Sequence, residues 1–142
     1  MHPSGSPSLD SARNSVKRAE VDRERFAEIV QEEWDQLPPD ILARLENVVL
    51  VIEDRPSARL LRSLGLDPHR DTLFGLYSGI PLKHRGAFYG NQPPDTITIY
   101  YRPLVRAFPY ETRLREQIRR TIVHEVAHFL GMSEGEIRRL GY

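Results

Sequence analysis

His124-Glu125-Val126-Ala127-His128-Phe129-Leu130-Gly131-Met132-Ser133-Glu134 is the stretch on which the reading of this chain turns. It opens with His-Glu-x-x-His, inside a segment whose apolar residues recur at helical spacing. Side chains four apart on a helix share a face, one turn above the other. His124 and His128 can therefore aim two imidazole nitrogens at one point, as a tetrahedral metal ion requires. Glu125 lies about 100° further round, since one turn takes roughly 3.6 residues. From there its carboxylate reaches a water on the ion without ligating it. The plainer alternative is a pair of structural histidines with Glu125 as a hydrogen-bond partner. A long helical pattern before the motif, a glycine after it and a carboxylate at Glu134 favour the metal site.

Working outward toward the C-terminus, Gly131 is placed to be the left-handed residue that ends the helix. Ser133-Glu134-Gly135-Glu136 is an S-x-x-E capping box, which starts a short helix through Leu140. A sharp reversal at Gly131 carries Glu134 back over the histidine face. Catalytic zinc sites use three protein ligands and one open position, and Glu134 is expected to be the third ligand. Its alternative is an ordinary first-turn carboxylate favoured by the helix dipole; Glu136 could also reach, but capping competes for it. The expected centre is one zinc per chain, held by His124, His128 and Glu134. Glu125 would be the general base, taking a proton from the zinc-activated water and passing it to the leaving amine. Candidates to stabilise the oxyanion are Tyr77, His84, Arg85, Tyr89 and Tyr100, without a ranking among them.

Toward the N-terminus, Leu114, Ile118, Ile122 and Phe129 mark the apolar stripe of a helix over 110–130. Before it, Thr96-Ile97-Thr98-Ile99-Tyr100-Tyr101 alternates and is β-branched, the clearest strand of the chain. Its alternation suggests one less buried face, and a sheet edge here could pair with an extended peptide. A loop over 83–94 precedes it, after a strand candidate Leu73-Phe74-Gly75-Leu76-Tyr77. Ala58-Arg59-Leu60-Leu61-Arg62-Ser63-Leu64, closed by Gly65, reads as a short helix. Val48-Val49-Leu50-Val51-Ile52 reads as a strand buried on both faces. The carboxylates after it, Glu53 and Asp54, are better read as solvated than as a metal pair. Asp22 caps an amphipathic helix through Phe26, Ile29, Val30, Trp34 and Leu37, which Pro38-Pro39 stops; Trp34 belongs to its core stripe. One or two further turns follow over 40–45. Residues 1–20, rich in Ser, Pro and Gly, read as a disordered tail, leaving one domain over 21–142.

Composition sets the outer bounds. The 142 residues are 39% hydrophobic and 28% charged with net charge zero, as for a globular domain with one core. No apolar run approaches the roughly 20 residues of a membrane span, and the N-terminus is not a secretory signal. No cysteine is present, so neither disulfide nor thiolate ligand is available. A cytoplasmic setting, with no membrane and no nucleic acid as partner, is the expectation. Lys17 and Lys83 are the only lysines, so arginine supplies nearly all the positive charge, but an equal number of acids removes any global attraction to nucleic acid.

HEVAHFLGMSE, preceded by LFGLYSGIPLKHR and PPDTITIYYRPL, resembles the small single-domain bacterial zincin-like metallopeptidases, the minimal zincins, with the pattern HExxHxxGxx[DE]. The resemblance extends over 22–142. It implies an α/β (α+β) domain, a small mixed sheet packed by helices, with a zinc cleft and peptidase activity; the expected substrate is a peptide or small protein. Members usually carry Asp where this chain has Glu134, one methylene longer. Two other functions share the residues. Some small metal-dependent endoribonucleases use HxxxHxxxxxH at the offsets of His124, His128 and Glu134, but they end in His and lack a Glu after the first His. A non-catalytic zinc-binding module for partner recognition is the other.

Overall fold

The computed structural model of this chain describes residues 21–85 and 94–142. Everything is built on α5, Glu111–Phe129, whose stripe Leu114, Ile118, Ile122, Val126 and Phe129 is buried almost completely. Those spacings of three and four put the stripe on one face. Against it lies α1, Arg23–Asp35, which starts where the Asp22 carboxylate accepts the Arg25 N–H and contributes Phe26, Ile29, Val30 and Trp34 to the same core. The two helices are also tied by charge. Buried Glu33 accepts from Arg115 at 2.8 Å and Arg119 at 2.7 Å, and Glu111 accepts from Arg25 at 2.7 Å.

The sheet has three strands: β1, Val48–Glu53; β2, Gly75–Ser78; β3, Asp95–Tyr100. Their order is β1-β3-β2, with β1 parallel and β2 antiparallel to β3. The result is the α+β class with a small mixed sheet, and His-Glu-x-x-His on the long helix of the C-terminal half. Short helices fill the connections: α2, Pro39–Arg44; α3, Ala58–Ser63; α4, Tyr101–Ala107; α6, Glu134–Arg139.

Three sequence expectations need correction. β1 is not buried on both faces: it pairs only with β3, and Val49 is 45% exposed. A β-branched run fits an edge strand as well as a central one, because propensity carries no information about neighbours. β3 is not a sheet edge; it is the central strand, with Ile97 and Ile99 fully buried on one face and Thr98 and Tyr100 nearly so on the other. Peptide pairing with β3 is therefore closed off. Finally, Tyr101 does not end the strand but opens α4, which follows β3 directly and contains Pro103. In the first turn the missing N–H costs nothing, since those donors have no helical acceptor anyway. The disordered tail expected over 1–20 and most of the loop expected over 83–94 lie outside the described residues.

Candidate metal centre

The last turn of α5 ends as its glycine requires. Gly131 has φ +96°, its N–H donates to the His128 carbonyl, and the Met132 N–H donates to that of Ala127. This pair of bonds closes a helix through a left-handed residue and turns the chain back on itself. The Lys83 stem packs over Gly131, so closely that a β-carbon there would sit 2.8 Å from it. α6 then starts in the expected capping box: the Ser133 hydroxyl accepts the Glu136 N–H and the Glu136 carboxylate accepts the Ser133 N–H at 2.8 Å. Glu136 is thereby occupied, and Glu134, the first residue of α6, is free to face α5.

Glu134 Oε1 lies 3.0 Å from His124 Nε2 and 2.6 Å from His128 Nε2. The imidazole rings stand one turn apart, 5.0 Å between centroids. One donor atom from each of the three residues lies within 4.8 Å of the others. A tetrahedral ion with bonds of about 2.0 Å holds its ligands roughly 3.3 Å apart, so this cluster can receive one with small side-chain adjustments. Two imidazoles and a carboxylate, with no thiolate, are also a donor set that zinc accepts. Burial acts to raise the Glu134 carboxyl, but hydrogen bonds from both histidines outweigh it and hold the group below the ordinary carboxylate range.

Glu125 is buried beside this cluster, and its Oε1 accepts the Tyr77 N–H of β2 at 2.8 Å. Burial raises its pKa, opposed by that hydrogen bond and by the neighbouring histidines. β2 comes this close to α5 because Gly75 has no side chain. A β-carbon there would meet Thr121 Cγ2 at 2.6 Å. The Phe74 carbonyl accepts the Tyr100 N–H, so by antiparallel alternation Leu76 and Ser78 face β3 while Gly75 and Tyr77 turn their backbone groups to the open edge. The sequence held no sign of this backbone donor, since N–H groups are common to all residues but proline.

The three-residue cluster and Glu125 border a cleft of about 580 Å³ whose other wall is β2 and the turn at Pro81, Lys83 and His84. A family model for zincin-like metallopeptidases matches residues 45–142. The chain belongs to the zincin-like metallopeptidase family. The zincin match takes in all three strands and the whole of α5 and α6, while α1 precedes it. No curated protein matches the sequence. Zinc binding is the property this zincin family implies, and among the described residues His124, His128 and Glu134 form a candidate site for it.

Of the oxyanion candidates, Tyr77 and His84 line the zincin cleft, while Arg85 and Tyr100 do not. The Tyr77 hydroxyl donates to Asp95 at 3.0 Å and its ring packs on Phe129. Arg85 pairs with the same buried Asp95 and donates to the Ile80 carbonyl. Tyr100 is buried in the sheet, and Tyr89 lies outside the described residues. Glu53 and Asp54 form no metal cluster among the described residues; Asp54 pairs with Arg23 at 2.8 Å. Lys83 is the cleft residue that sequence reasoning passed over, although it is one of only two lysines. Among the described residues no helix is long and apolar enough to cross a membrane.

Proposed function

We propose that this protein is a zinc-dependent peptidase in which Glu125 acts as general base. The observation that supports it most is the convergence of His124 Nε2 and His128 Nε2 on one oxygen of Glu134, beside a buried carboxylate in the same cleft. His124, His128 and Glu134 would hold one zinc per chain, leaving one position for water or substrate. Bound there, zinc would acidify a water and polarise the scissile carbonyl.

Glu125 takes the proton of the attacking water at Oε2, because Oε1 already accepts the Tyr77 N–H. It then delivers the proton to the leaving amine. An extended peptide or small-protein segment lies along β2, the strand nearest Glu125, in place of β3.

The test is mass-spectrometric detection of products from a mixed peptide library incubated with zinc-loaded protein. Cleavage is expected, and Glu125→Gln is expected to lose at least about a hundredfold of the rate while retaining zinc. Cleavage that survives Glu125→Gln would contradict the assignment. Zinc binding without cleavage of any peptide would favour a non-catalytic interaction module.

A further inference from the structure

A second cavity, of about 510 Å³, is lined by Arg55, Arg102 and Arg106. Arg102 and Arg106 lie four apart on α4 and so share a face, an arrangement of like charges that mildly destabilises a helix. Arg55 reaches the same cavity from the turn after β1. Arg102 has a weak partner in Asp54 at 3.7 Å, but Arg23 holds that carboxylate more closely, at 2.8 Å. Neither Arg55 nor Arg106 pairs with an acid among the described residues. The one carboxylate on the wall, Asp71, accepts the Asp67 N–H at 2.7 Å. Pro56, Leu61, Phe74 and Pro103 supply apolar walls, which strengthen the field of the guanidinium groups by displacing water.

This cavity and the metal centre are bordered by the same stretch of chain. Thr72 and Phe74 also line an intervening cleft of about 400 Å³, which is bordered at its other end by His124 and Glu125. Only Leu73 and Phe74 separate Thr72 from Gly75, three residue steps spanning at most about 11 Å. Residues of one short run, 72–76, thus border all three cavities.

We infer that Arg55, Arg102 and Arg106 form a specificity subsite that reads a carboxylate side chain of the substrate. It recognises Asp or Glu on the side of the cleaved bond that runs past Thr72 and Phe74. Arginine suits this role because its planar fork matches a carboxylate with two parallel hydrogen bonds. The inference rests on the peptidase reading for the word substrate, but its test reads binding alone.

The experiment is fluorescence anisotropy of labelled octapeptide pools, random except for one fixed Glu, against the same pools with Gln in its place. The full chain is used, zinc-loaded and carrying Glu125→Gln so that peptides stay intact. The Glu pools are expected to bind at least tenfold more tightly at low salt, with the advantage shrinking as salt rises. Arg55→Gln/Arg106→Gln should reduce it to less than twofold, and Arg55→Lys/Arg106→Lys should keep part of it. Equal binding of both pools, or no binding of either, overturns the subsite. So does an advantage that survives the double glutamine variant, or arginine-dependent stabilisation by inorganic phosphate without any peptide preference. Charge-selective binding with no cleavage by the unsubstituted protein would instead sink the peptidase reading and leave the subsite standing. Cleavage indifferent to charge would do the reverse.

Discussion

Glu134 and Glu136 are two residues apart and chemically identical, yet their surroundings give them different work. Glu134 Oε1 meets both imidazoles, whereas the Glu136 carboxylate folds back onto the Ser133 N–H. Zinc affinity, measured by competition with a chelating dye, is therefore expected to fall at least tenfold in Glu134→Gln and to change less than threefold in Glu136→Gln. Ligand loss of equal size in both would show that α6 as a whole, and not the Glu134 oxygen, matters. The convergence of His124, His128 and Glu134 was legible in the sequence because helix spacing, a glycine stop and a capping box are local rules that agree here. The Tyr77–Glu125 bond was not legible, because it depends on which strand edge lies beside α5.

Two glycines set how the elements meet. Gly131 adopts a backbone conformation that costs an L-residue roughly 1–2 kcal/mol, and a β-carbon there would also press on Lys83. Gly131→Ala is expected to lower thermal stability by about that amount and to weaken zinc binding, since α6 could no longer return to the histidines; differential scanning fluorimetry with and without zinc reads both. An unchanged zinc-dependent shift would mean that Glu134 is positioned by other means. Gly75→Ala would push β2 off Thr121, with an overpacking cost of about 1–3 kcal/mol, and would lengthen the Tyr77–Glu125 bond. A larger loss of hydrolysis than of zinc affinity is the outcome expected from it. Helix boundaries followed from caps and apolar stripes, but α4 went unseen behind Pro103, and strand order could not follow from strand composition. Both β1 and β3 are β-branched, and only pairing decides that β3 is central.

Across the whole molecule, α1 is fastened to α5 by charge as well as by core packing. Burial acts to raise the Glu33 carboxyl, but hydrogen bonds from Arg119 and Arg115 prevail and lower it from its ordinary value of 4.5. A carboxyl depressed in the folded state is protonated more readily when unfolded, so its stabilisation is complete above the ordinary range and is lost as pH falls through the folded value. In urea denaturation, Glu33→Gln is expected to cost about 2 kcal/mol at neutral pH, discounted because Arg119 is half exposed. The gap to the unsubstituted protein should narrow as pH falls below about 4.5. A constant gap would place the effect in packing and not in charge.

His124, His128 and Glu134 are proposed to form a single zinc centre next to Glu125. Anomalous diffraction at the zinc edge, from crystals of the zinc-loaded protein, tests it most directly. One strong peak within bonding distance of His124 Nε2, His128 Nε2 and a Glu134 oxygen is the expected result. A peak held by other residues, or none at full zinc loading, would contradict it.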